Sequence, residues 1–164
     1  MVKQRFCKAK SGGPIPLSGS EYTIDMILQV GVKAFLRNNE GKYLLLYRSA
    51  IKYPEVGGQW DLPGGRINIG SLLVDNLKRE VLEETGLEIS SDPVLLAAQD
   101  IIMGDEKHVV RLTYFAAATG KVMLDITENT EYKWVTFKEI LTHPEIDRFA
   151  KEIITKGYLN QFEV

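Results

Sequence analysis

Residues 64–87 read GGRINIGSLLVDNLKREVLEETGL, a glycine pair followed by a run with helical spacing. Its spacing predicts a helix over 72–85, with Ser71 as N-cap and Gly86 as the C-terminal stop. At about 100° per residue, with Leu77 set at zero, Leu73, Val74 and Val81 fall at about −40°, +60° and +40°. They form one apolar stripe. Glu84 falls at about −20°, inside that stripe, and Glu80 at about −60°, on its margin. Glu83 neighbours Glu80 at i+3 spacing.

Three carboxylates thus share one side of a helix, one of them where a hydrophobe belongs. Acids in the last turn oppose the helix dipole at a cost of a few tenths of a kcal/mol each. Like charges packed together also repel and raise one another's pKa. A cation removes both penalties, and carboxylate oxygens suit hard ions, Mg²⁺ or Mn²⁺. The plainer alternative is a solvated acidic helix end with Glu84 salt-bridged to a base; the position of Glu84 within the stripe argues against it. Upstream, Pro63-Gly64-Gly65 ends a strand-like run and lets backbone approach a ligand closely.

The flanks alternate strand-like and helical patterns. Strands are expected over 26–36, 43–47, 94–102, 108–118 and 132–135, with a short one in 59–62, and helices over 137–141 and 145–156. Asp147 and Lys151 are expected on a solvated side of the last helix. The Gly-, Ser- and Pro-rich start reads as an arm over 1–20, followed by one α/β domain over 21–164. The chain has 164 residues and a net charge of −2, which gives no bulk positive charge for nucleic acid. No apolar run nears the roughly 18 residues of a membrane span, and the polar start lacks a signal-peptide segment. A single cysteine, Cys7, excludes a disulfide framework. These features lead us to expect a reduced, cytoplasmic protein.

The 64–87 stretch resembles the signature box of the Nudix (MutT-like) hydrolases: Gly, five residues, Glu, seven residues, then Arg-Glu-aliphatic-any-Glu-Glu-any-Gly-aliphatic. Gly65 opens it, and Arg79 through Leu87 close it in register. The TrpAspLeuProGlyGly run at 60–65 and Glu128, six residues before Trp134, also resemble the family. The sequence departs from the box at its first Glu, where Ser71 stands, and Asn68 is neutral where many relatives carry an acid.

The resemblance implies an α/β/α sandwich and metal-assisted cleavage of the diphosphate bond of a nucleoside diphosphate linked to another group. The substrate would be a nucleoside triphosphate, an oxidised nucleotide or a nucleotide sugar. It implies Glu80, Glu83, Glu84 and the Gly64 carbonyl as ligands for Mg²⁺ or Mn²⁺. Arg79 would orient the glutamates, and one of them or Glu128 would accept the proton from water. Arg66 and Arg48 are candidates for phosphate contact, with exposed surface charge as the plainer reading, and Trp60 is a candidate for stacking on a base, with core packing as its plainer reading. Family members are often dimers, which extends the expectation of a homodimer to this chain. Three other readings keep part of this pattern: a non-catalytic nucleotide-sensing domain, a GDP-mannose-type glycosyl hydrolase, suggested by the PGGRI run, and an RNA 5′-end processing enzyme, which would need a basic groove.

Overall fold

A computed structural model of the chain describes residues 27–54, 58–104 and 107–163. The expected arm over 1–20, Cys7 and Met26 lie outside the described residues.

Strand β1 (Ile27–Arg37) alternates its side chains across the centre of the fold. Val32, Ala34 and Leu36 face one way with Leu44, Leu46, Tyr114 and Ala116. Phe35 faces the other way with Tyr43, Leu45 and Leu62. The strand therefore needs cover on both faces. On the first face lies α1 (Leu73–Thr85), through Leu77 and Val81. On the second lie α2 (Phe137–Thr142) and α3 (Arg148–Thr155), through Ile140, Ala150, Ile153 and Ile154. The result is the α/β/α sandwich expected from the sequence.

The sheet is mixed. β1 runs parallel to β6 (Lys107–Thr119) over its whole length. β2 (Tyr43–Arg48) runs antiparallel to β1, to β3 (Trp60–Asp61) and to β7 (Asn129–Val135). β4 (Glu88–Ile89) and β5 (Val94–Met103) are antiparallel to β6. After β3 the chain turns along β1, where the Gly65 and Pro63 carbonyls accept the Val32 and Ala34 N–H at 2.9 and 3.0 Å. This ladder fixes the Gly64-Gly65 turn beside the middle of the sheet, facing α1.

Three local expectations need correction. Ser71 does not cap α1: the N-cap is Leu72, in extended conformation without a side-chain hydrogen bond, while Ser71 donates its backbone N–H to the Asn68 carbonyl at 3.0 Å. Leu73 is 38% exposed, and the buried arc of α1 instead takes in Asn76. Asp147 is not solvated: it is the N-cap of α3, accepting from the Ala150 N–H at 3.0 Å and from Arg111 Nη1 at 2.7 Å. The stop at Gly86 is as expected, at φ +68° with its N–H on the Leu82 carbonyl.

Candidate active site

The α1 register delivers Glu80 and Glu84 to the Gly64-Gly65 turn one helical turn apart. Glu84 is 8% exposed, and its Oε2 accepts the Gly64 N–H at 2.8 Å. Burial pushes its carboxyl above the usual range, against the pull of Lys33 and of that N–H. Gly64 has φ +123°, and a Cβ there would stand 2.2 Å from the Val32 carbonyl oxygen. Only glycine permits this turn. A Cβ on Gly65 would stand 2.3 Å from Glu80 Oε2, so the missing side chain at 65 is the space that the Glu80 carboxylate fills.

Arg79 gathers the outer carboxylates. Its Nη1 donates to Glu83, and its Nη2 donates to Glu80 and, at 3.0 Å, to Asn76 Oδ1. Partial burial works against its charge, but the two glutamates outweigh that and raise its pKa. From the far side comes Glu128, just before β7, accepting from Lys52 and, at 2.8 Å, from the Tyr53 hydroxyl. Burial alone would raise the Glu128 pKa, but these two donors hold it below the ordinary value. Glu80, Glu83, Glu84, Glu128 and Asp125 line one cavity of about 330 Å³.

Among the described residues, no three acidic, histidine or cysteine side chains converge as a ready-made metal cage. The carboxylates instead rest on neighbours: Glu80 and Glu83 on Arg79, Glu84 on the Gly64 N–H, Glu128 on the Lys52–Tyr53 pair and Asp125 on Thr127. The donor set still fits a hard divalent ion, since the cavity is walled by carboxylates and Glu84 is buried with a single backbone donor. The Gly64 carbonyl stays outside the β1 ladder that takes up its two neighbours.

Beside this acidic wall stands a basic cluster built around one buried carboxylate. Asp61 lies 3.1 Å from Lys33 Nζ, 3.4 Å from Arg111 Nη2 and 3.6 Å from Arg48 Nη1. Burial alone would raise its pKa, but Lys33, Arg111 and Arg48 outweigh burial and hold it far below the usual carboxylate range. Arg66 is bridged to Gly31 in β1 and donates from Nε to Gln29 Oε1 at 3.0 Å. Its pKa is drawn down by partial burial and then by the charges of Arg48 and Arg111. Arg48 stacks over the Tyr53 ring at 4.4 Å, and Tyr53 in turn holds Glu128, so the two clusters are contiguous.

The sequence-predicted residues thus divide. Gly64, Arg79, Glu80, Glu83, Glu84 and Glu128 come together around the cavity, with Arg48 and Arg66 adjoining. Trp60 does not join them. It is 3% exposed, packed between Tyr47 and His143 under the Lys133 ammonium, and offers no face to a base. Its aromatic area is spent on docking the segment before α3, which its backbone also binds. Four site residues were not read from the sequence: Asp125, Lys33, Asp61 and Arg111. Asp61 lay inside the quoted 60–65 run, and the only signal was an acid between two core hydrophobes, Trp60 and Leu62.

Comparisons with known proteins agree with this geometry. The family model described as NUDIX domain matches residues 27–156. A Bacillus subtilis protein named "Putative 8-oxo-dGTP diphosphatase" is 35% identical over 99 residues, which cover 60% of this chain and 60% of that one. "Nudix hydrolase 8" of Arabidopsis thaliana is 27% identical over 129 residues, covering 77% of this chain but 35% of that protein. The chain therefore spans less than two thirds of the length of both. The crystal structure of a MutT protein from Methanosarcina mazei superposes with a TM-score of 0.73 at 27% identity, covering 87% of this chain and all of that one. The box, the α/β/α frame that presents it and the match over most of the described residues lead to one conclusion: this chain belongs to the Nudix family.

Proposed function

We propose that the protein is a metal-dependent pyrophosphohydrolase, cleaving the diphosphate bond of a nucleoside diphosphate linked to another moiety. The observation that carries this reading is the carboxylate-walled cavity at the Gly64-Gly65 turn, set directly against the cations around Asp61. A wall of five carboxylates alone repels a diphosphate, and a basic cluster alone only binds one. Side by side they provide for a divalent ion and for the phosphate oxygens it must share.

Glu80, Glu83, Glu84 and the Gly64 carbonyl would hold Mg²⁺ or Mn²⁺, which supplies charge neutralisation of the diphosphate and acidification of the attacking water. Arg79 orients Glu80 and Glu83 by charge-assisted hydrogen bonds. Arg48 and Arg66 hold phosphate oxygens, with Lys33 and Arg111 adding positive field from behind Asp61. One glutamate of the wall, or Glu128 across from it, accepts the proton from water; Lys52 and Tyr53 keep Glu128 ionised for that role. The substrate is a small-molecule nucleotide. The likeness to the protein named "Putative 8-oxo-dGTP diphosphatase" supports trying oxidised nucleoside triphosphates first, then nucleotide sugars. The same reading carries a single domain over 21–164, a cytoplasmic location and a homodimer. Among the described residues no helix is long and apolar enough to cross a membrane.

The test is a panel of nucleoside triphosphates, 8-oxo-dGTP and nucleotide sugars incubated with Mg²⁺, with Mn²⁺ and with a chelator. Metal-dependent release of a nucleoside monophosphate supports the reading. Ion binding without turnover across the panel would instead favour a nucleotide sensor.

A further inference from the structure

Asn76 is 1% exposed, on the side of α1 that faces the fold, where an apolar residue would ordinarily pack. A buried amide is tolerated only when its donors and acceptor are answered. Here the acceptor and one N–H of the amide are answered, from two directions. Oδ1 accepts the Asn68 backbone N–H and Arg79 Nη2, both at 3.0 Å, and Nδ2 donates to the Arg66 carbonyl at 3.2 Å. One side chain therefore ties the loop that carries Arg66 to the arginine that gathers Glu80 and Glu83.

The partners of Arg79 make this tie consequential. Its Nε is buried and has no partner among the described residues, which hold the guanidinium through its two terminal nitrogens. Nη1 rests on Glu83, and Nη2 is shared between Glu80 and Asn76. Both glutamates must turn part of their electron density to any cation they accept. Asn76 is uncharged and is the one partner of Arg79 free of that demand. Ser71 donates its N–H to the Asn68 carbonyl and shares no hydrogen bond with Arg79, so it does not duplicate the anchor.

We propose that Asn76 is a positioning residue: it holds Arg79 and the 66–68 loop in register while Glu80 and Glu83 exchange the arginine for a divalent ion. It touches no reacting atom. The inference rests on the hydrolase reading above and deepens it by separating two effects. The Oδ1 contact to Arg79 governs the ion site, and the Nδ2 contact to the Arg66 carbonyl governs placement of the phosphate-binding loop.

The experiment uses the full chain with Mn²⁺ as the probe, its free concentration read by electron paramagnetic resonance, alongside steady-state kinetics on the best panel substrate. Asn76→Ala is expected to weaken Mn²⁺ binding about 10- to 100-fold, the range for groups that support metal ligands, and to lower kcat. Asn76→Asp keeps the acceptor and loses the donor, so it should bind Mn²⁺ at the wild-type level or tighter while its KM is raised several-fold over wild type. Wild-type Mn²⁺ binding in folded Asn76→Ala would overturn the proposal. So would Asn76→Asp if it lost Mn²⁺ binding, since packing alone would then explain the residue. Should Asn76→Ala fail to fold, the split between Mn²⁺ binding and KM in Asn76→Asp decides the matter by itself. If the wild-type chain hydrolyses nothing in the panel, the hydrolase reading falls, and the Mn²⁺ titration still judges Asn76.

Discussion

Adding one methyl group at two adjacent glycines should separate folding from function. In Gly64→Ala the new Cβ stands 2.2 Å from the Val32 carbonyl oxygen and 3.0 Å from Lys33 Cα, backbone atoms of the central strand that cannot step aside. Gly64 also has φ +123°, a conformation that costs a non-glycine residue about 1–3 kcal/mol before any overlap. A total near 3 kcal/mol or more follows. At about 2–4 °C per kcal/mol for a chain of this size, Tm falls by roughly 6–12 °C. In Gly65→Ala the three atoms nearest the new Cβ all belong to the Glu80 carboxylate, with Oε2 at 2.3 Å and Cδ at 2.6 Å. That group is the far end of a flexible side chain and can rotate away for about 0.5–1.5 kcal/mol. Removing a glycine from the unfolded chain returns about 0.4–1 kcal/mol. Stability should therefore move by no more than about 1 kcal/mol, a Tm change under roughly 4 °C. Glu80 is nevertheless displaced from the cavity, and Mn²⁺ affinity and kcat should fall by at least about 10- to 100-fold. Thermal unfolding, Mn²⁺ titration and turnover on the same preparations make the comparison. Gly65→Ala with native Mn²⁺ affinity and turnover, or with a Tm loss matching that of Gly64→Ala, would refute the assignment of the 65 position to Glu80.

Further expectations concern the basic cluster and Glu128. Asp61→Asn leaves Lys33, Arg48 and Arg111 without their common carboxylate and should cost about 3–5 kcal/mol, the range for breaking a buried ion pair, read by denaturant unfolding. Because the folded pKa of Asp61 is depressed, its stabilisation is present above the unfolded carboxylate pKa of about 3.9 and is lost as pH falls toward the folded value. The wild-type Tm should thus decline more steeply below about pH 4 than that of Asp61→Asn; parallel curves would contradict the assignment. Arg48→Ala and Arg66→Ala should each raise KM by about tenfold or more with a smaller change in kcat, as expected for lost charge-assisted contacts to phosphate. Tyr53→Phe removes a donor that lowers the Glu128 pKa, so if Glu128 takes the proton the acid limb of the kcat profile moves to higher pH. An unmoved limb assigns the base to the α1 wall.

The sequence was informative where one period governed several residues at once. Helical spacing placed Glu80, Glu83 and Glu84 on one side of α1, while cover on both faces of the sheet was an expectation of the family resemblance and not of any local pattern. It was silent where contacts join distant segments. Asp61 meets Arg111 across 50 residues and Lys33 across 28, and no local pattern marks such a cluster. Asn76 reads as an unremarkable helix residue until its amide is seen between Arg79 and the 66–68 backbone. Ser71 shows the opposite error: a good capping residue by type, passed over because the chain enters the helix one residue later, at Leu72. Trp60, a candidate for base stacking whose plainer reading was core packing, takes the core role, and it is burial that separates the two.

The most direct measurement compares the wild-type chain with Glu83→Gln and Glu84→Gln on the nucleotide panel with Mg²⁺ and Mn²⁺. Both substitutions keep size and shape. Glu84 already resists ionisation through burial, so Glu84→Gln should leave Tm level or higher. Glu83 is exposed, so Glu83→Gln should leave the fold intact. With a carboxylate-held ion at the centre of the chemistry, both variants should lose product release on the order of 10²- to 10³-fold while remaining folded. Equal release by wild type and both variants would contradict the assignment of catalysis to this wall.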